Sequence, residues 1–239
     1  MKVAIIIAGH LRCWKQMYPY FKANFIDKYN NPDIFISTWT DEGWWKWGNE
    51  KGIYENSALI NFDEVRQAYQ PKELKYENYD DYDQMFKERA DKFTNKIGWP
   101  KNVVSMTYRW LDGCKLLCDY CLNKEVHYDL VIRTRTDLIV HGELPEFDPS
   151  KFYIIHNDYH QGGLNDVIHV GNMIDIFTVN SMYLKLEELY NKIGTFCPHV
   201  FAEDIVKTHN IQLISLPIPY NIINTPWGQH QDVHKFINQ

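Results

Sequence analysis

The sequence is short of long hydrophobic runs. Its first apolar stretch, inside MKVAIIIAGHLR, lasts six residues before Gly9. That is shorter than a secretory-signal core and far shorter than a membrane span, which predicts a soluble, cytoplasmic protein with no transmembrane segment. An excess of either charge is also lacking. The 25 Lys and Arg stand against 31 Asp and Glu, a formal −6, and the basic residues are scattered, which argues against nucleic acid as a partner. No Pro/Gly/Ser-rich seam, low-complexity tract or internal repeat divides the 239 residues, so they read as a single domain, 1–239. Cysteine is sparse and odd in number at five, which predicts reduced thiols rather than a disulfide framework.

Aromatic residues, by contrast, are plentiful at 15%, and several of the eight tryptophans crowd TWTDEGWWKWGNE, residues 38–50. Indoles beside acids and amides either stack on sugar rings or bases, or pack as core and lid. KVAIIIA (2–8) and DIFIST (33–38) read as strands buried on both faces, joined by an amphipathic stretch over about residues 13–29. Strand, helix, strand at this spacing predicts a right-handed βαβ unit. Residues 62–97 read as helical and polar, interrupted by KYENYDDYD, and a longer helix spans about residues 102–124. Further along come FYIIH (152–156), a loop with Gly162 and Gly163, the apolar run MIDIFTV (173–179), helix candidates SMYLKLEELYNKI and HVFAEDIVKTHN, and the strand IQLISLPI. Alternation of this kind predicts an α/β sandwich around a mainly parallel sheet.

The third strong strand is YDLVIRTRTDLIV, residues 128–140. Arg133, Arg135 and Asp137 stand at i, i+2 and i+4, so an extended chain aims all three at one face, roughly 6–7 Å apart per step. Open α/β sheets bind ligands at the carboxyl ends of their strands. If these three strands are parallel neighbours, Gly9, His10, Arg12, Thr38, Trp39, Arg133, Arg135 and Asp137 share one rim. That composition suits a phosphorylated ligand: glycine admits the backbone, arginine forks match phosphate oxygens, and Asp137 holds a metal or a sugar hydroxyl. The alternative is an internal ion pair, with Asp129 or Glu143 balancing the second arginine.

MKVAIIIAGHLRCW, DIFISTW and YDLVIRTRTDLIV, in this order and spacing, resemble a group of small glycosyltransferases from large viruses, phages and bacterial surface-polysaccharide loci. That group is similar to nucleotide-sugar transferases of the GT-A fold. The resemblance covers residues 1–140 and implies a GT-A-like three-layer sandwich, with a mixed, mainly parallel central sheet flanked by helices. It further implies sugar transfer from a nucleotide-diphosphate sugar donor to a hydroxyl acceptor on a glycan or lipid-linked sugar. Ala8 to Arg12 and Thr38 to Thr40 would hold the nucleotide. The Asp-x-Asp motif that binds Mn²⁺ or Mg²⁺ in such folds reads Arg135-Thr136-Asp137 here, with only the second acid present. A histidine near the C-terminus, His230 or His234, would complete a metal site with Asp137. For the catalytic base the resemblance offers Glu203 and Asp204, read as the start of a helix, where capping explains them equally well. Asp166, beside the Gly-Gly loop, is the third candidate.

Two other readings stand beside this one. The missing first acid suits a non-catalytic nucleotide- or sugar-binding module. Cys114, Cys118 and Cys121 in CKLLCDYC resemble the cluster signature of radical SAM enzymes. On a helix, however, those thiols form one apolar stripe with Trp110 and Leu117, and its ends lie about 10 Å apart along the axis.

Overall fold

Six apolar residues in a row present no polar face to water, and Val3–Ala8 accordingly forms a strand, β1, buried on both sides. The structure is a computed structural model that describes residues 1–43, 58–94, 100–155 and 163–222. In it, β2 (Asp33–Trp39) and β4 (Leu130–Thr134) flank β1, both parallel to it, with Ile5 opposite Ile34 on one side and Ile132 on the other. Beyond β2 lies β3 (Glu73–Glu77), also parallel. Beyond β4 come β7 (His169–Gly171), antiparallel, and then β6 (Phe152–Ile155) and β8 (Leu213–Leu216), parallel to each other. The seven-stranded order is β3-β2-β1-β4-β7-β6-β8. A separate antiparallel pair joins β5 (Leu138–Val140) to β9 (Tyr220–Ile222).

Alternation along β1 divides the core between two layers, with Ala4, Ile6 and Ala8 on one face and Val3, Ile5 and Ile7 on the other. The first face carries α3 (Asp80–Ala90), α4 (Pro100–Lys124), α5 (Met173–Asn180), α6 (Leu186–Ile193) and α7 (Pro198–Thr208). The second carries α1 (Trp14–Phe21), prolonged by a π-helical turn over Lys22–Asp27, and α2 (Phe62–Tyr69). This is the three-layer α/β sandwich with a mixed, mainly parallel sheet that the sequence predicts. Among the described residues no helix is long and apolar enough to cross a membrane.

Two local expectations need correction. The polar span read as helical contains β3, whose exposed, edge-strand alternation does not register as a buried run. The apolar run MIDIFTV, given no element type from the sequence, forms helix α5, where the Asn172 side chain accepts from the Asp175 amide at 2.9 Å. YDLVIRTRTDLIV is two strands: β4 stops at Thr134, the chain bends over residues 135–137, and β5 leaves the main sheet to pair with β9.

The topology locates the site. The chain steps from β1 outward to β2 and β3, then returns through α4 to place β4 on the other side of β1. Strand order therefore reverses between β1 and β4, and the crevice outside their carboxyl ends is where an open α/β sheet receives a ligand.

Candidate functional site

At that crevice two guanidiniums meet one carboxylate. Both Asp137 oxygens accept from Arg135, Oδ1 from Nε and Oδ2 from Nη2, the latter at 2.8 Å. Arg12, carried by the turn after β1, places Nη1 3.9 Å from Asp137 Oδ2, and the Thr136 hydroxyl donates to the Arg12 carbonyl at 3.2 Å. Asp137 is 1% exposed, whereas the Arg12 and Arg135 side chains keep 16% and 21% of their surface in solvent. The buried anion thus fixes the two cations, which still reach the outside. In the turn that carries Arg12, Gly9 has φ +117°, and a Cβ built there would meet no atom within 4 Å.

A short strap follows β2 and crosses the same turn. Arg12 Nε donates to the Gly43 carbonyl at 2.6 Å, the His10 ring lies 3.3 Å from the Asp41 carbonyl, and the Gly43 amide donates to Asp41 Oδ1 at 2.8 Å. Gly43 has φ +65°, and a Cβ there would fall 2.1 Å from the His10 ring. Gly43→Ala is therefore expected to lower stability by roughly 2–4 kcal/mol, through left-handed backbone strain and overpacking together. Urea unfolding of the variant measures it.

Other predicted residues do not join this group. Arg133 points into the first core layer, away from Arg135, because it belongs to β4 while Arg135 follows the bend. Its guanidinium is 1% exposed, lies 4.4 Å from the Trp110 ring centroid, and donates to Asn180 Oδ1 (3.1 Å), His169 Nδ1 (2.8 Å) and the Asp166 carbonyl (2.5 Å). Arg133 thus holds the β6–β7 loop from beneath. Trp39 is 1% exposed with the Arg109 guanidinium 3.5 Å above its ring, so its indole presents no free face to a base. Thr38 is fully buried and Ala8 is buried as well. Glu203 and Asp204 do not open a helix, since α7 starts at Pro198; they lie in its second turn and pair with Lys207 and Lys192. Asp166 is part-exposed between the carboxyl end of β6 and the start of β7, on the same side of the sheet as the carboxyl ends of β1 and β4. Trp44, Trp45, Trp47, Gly162, His230 and His234 lie outside the described residues.

Two histidines here are kept neutral. Burial, then the Arg12 charge, holds His10 well below the usual imidazole range, and burial, then Arg133, does the same to His169. Because Arg133 can only donate, His169 Nδ1 accepts, leaving the Nε2 proton for the Asn165 carbonyl at 3.1 Å. Below about pH 6.5 the unfolded chain takes up protons that these folded rings refuse, so stability must fall with falling pH by up to about 1.4 kcal/mol per pH unit for each histidine. Urea melts at pH 7, 6 and 5 are expected to show a loss of roughly 2 kcal/mol between the last two. A flat profile contradicts this burial.

Sequence reasoning missed a second polar cluster at the ends of β2 and β3. Arg109 of α4, 0% exposed, sits 2.8 Å from Glu77 Oε2 and 3.3 Å from Asp112 Oδ2, while Asp112 also accepts from Ser37 (2.7 Å) and Lys75 (2.6 Å). Arg109 and Asp112 stand three apart on α4, which the stripe of apolar residues around them concealed. Two cations balance two carboxylates in this group, which locks α4 to the sheet beneath the rim.

Asp137 does not fit the role of a divalent-ion ligand, because both its oxygens already accept from a guanidinium. Among the described residues no group of three or more His, Cys, Asp or Glu side chains is arranged to hold a metal. The Cys114, Cys118 and Cys121 trio lies on unbroken α4, with Cys114 and Cys121 in the core, and burial pushes the Cys114 thiol up to about 12. Protonated thiols spread along a helix are poor ligands for a single cluster. None of the five cysteines, all among the described residues, forms a disulfide.

No family model matches the chain, and no curated protein matches it. Among solved structures it is similar to a nucleoside-diphosphate-sugar pyrophosphorylase from Vibrio cholerae RC9, with 10% identity and a TM-score of 0.49, over 99% of this chain and 100% of that one. A likeness of that size carries no argument about activity.

Proposed function

We propose that the protein is a cytoplasmic glycosyltransferase that takes a sugar from a nucleotide-diphosphate donor to a hydroxyl acceptor on a glycan or lipid-linked sugar. The proposal places it with the small glycosyltransferases of large viruses, phages and bacterial polysaccharide loci that its first 140 residues resemble. One observation carries the reading: Arg12 and Arg135 converge on Asp137 at the point where strand order reverses, with Gly9 in the turn that carries Arg12. Guanidinium forks fixed in advance are suited to the charge that develops on a departing diphosphate.

In the transfer, the acceptor oxygen forms a bond to the anomeric carbon. The bond from that carbon to the diphosphate oxygen breaks, and its electron pair leaves with the diphosphate. The hydroxyl proton passes to a carboxylate, for which Asp166 is the choice because it lies on the side of the sheet where β1 and β4 end, while Glu203 and Asp204 are paired with lysines. Incubation with UDP-, GDP-, ADP- and dTDP-sugars, read by mass spectrometry, should release nucleoside diphosphate from at least one donor. Asp166→Asn should slow that release by about 10²–10⁴-fold without loss of fold.

The binding-module reading retains one point in its favour, the single acid in Arg135-Thr136-Asp137. Such a module would rise in Tm with nucleotide yet release no diphosphate from any donor.

A further inference from the structure

We propose that the pyrophosphate of the donor is neutralised by the guanidiniums of Arg12 and Arg135 alone, with no divalent ion, and that Asp137 is a positioning residue that holds and aims them. This rests on the nucleotide-sugar reading above and deepens it. Asp137 is 1% exposed and both its oxygens accept from Arg135, with Arg12 Nη1 3.9 Å away. A Mg²⁺ or Mn²⁺ ion ligated there would have to strip Arg135 from the carboxylate and then sit between two fixed cations. The arginines come from opposite sides of the crevice, one from the turn after β1 and the other from the bend after β4, so they can grip a diphosphate from both flanks. Their planar forks match phosphate oxygens two at a time.

Of the nearby acids, Asp41 is already engaged, its Oδ1 accepting from the Gly43 amide and standing 3.6 Å from His10 Nδ1. Arg12 Nε also donates to the Gly43 carbonyl, a neutral acceptor.

Calorimetric titration of the full chain with UDP, GDP, CDP and ADP, in EDTA and again in excess Mn²⁺, tests the proposal. At least one diphosphate should bind in EDTA within about twofold of its affinity in Mn²⁺, and the matching monophosphate should bind about tenfold more weakly. Arg135→Gln and Arg12→Gln, checked for fold by thermal melting, should each weaken binding by about tenfold or more. Should Arg135→Gln fail to fold, Arg135→Lys decides, because it keeps a cation for Asp137 but loses the fork; a loss of roughly three- to tenfold supports the proposal and unchanged affinity overturns it. Binding that appears only with Mn²⁺ overturns the proposal and leaves the nucleotide reading standing. If no diphosphate binds in either condition, the nucleotide reading falls and takes this proposal with it.

Discussion

Asp137→Ala should be among the most damaging substitutions in the chain, lowering stability by about 3 kcal/mol, because it removes the buried carboxylate on which two guanidiniums converge. The partial exposure of Arg12 and Arg135 keeps the expectation at the lower end of the range for buried pairs. For a chain of this length a loss of 1 kcal/mol lowers Tm by about 2–4 °C, so a fall of about 6–12 °C is expected in thermal unfolding. Removing one of the two guanidiniums as well should recover part of the loss, so the double variant Asp137→Ala/Arg135→Ala should be more stable than Asp137→Ala alone. Equal Tm values for Asp137→Ala and the parent would mean that the carboxylate does not organise the rim.

Arg133→Met is expected to act through the core instead. Methionine roughly conserves the volume, so the cavity contribution is small. Three buried acceptors lose their donor, namely Asn180 Oδ1, His169 Nδ1 and the Asp166 carbonyl. Each orphaned acceptor is worth about 1–3 kcal/mol. Against this, a buried cation for which no ion pair is seen among the described residues no longer has to be desolvated, which offsets part of the penalty. The net expectation is a loss of about 3 kcal/mol, measured by urea unfolding. Activity should fall further than stability, because the loop that carries Asp166 loses its anchor; equal activity at a permissive temperature would detach Arg133 from the site. The acid sensitivity of His169 should persist in this variant, since burial, the larger cause of its depressed pKa, is unchanged.

Much of the framework was legible in the amino-acid pattern. The runs VAIIIA and DIFISTW name their own strands, because a strand covered on both faces leaves no polar alternation to misread. The convergence of Arg12 with Arg135 and Asp137 followed from strand ends and topology. The fate of Arg133 did not, because the period of two holds only while the chain stays extended, and nothing in IRTRTD announces the bend after Thr134. Trp39, for which the sequence left both stacking and core packing open, lies in the core beneath Arg109, a residue 70 positions away whose partner only the fold reveals. Glu203 and Asp204 were read as a helix start, but Pro198 sets the first turn five residues earlier, and its own preference for that position was the available signal. Helix α4 hid Arg109 and Asp112 because their partners Glu77, Lys75 and Ser37 lie on β2 and β3.

The central claim is that the crevice between the ends of β1 and β4 receives a pyrophosphate. A crystal structure of the full chain with a tightly bound nucleoside diphosphate tests it most directly. The expected result is phosphate oxygens within hydrogen-bond distance of Arg12 and Arg135, above Gly9. A nucleotide seated elsewhere, with Arg135 still closed on Asp137 and the rim empty, would contradict it.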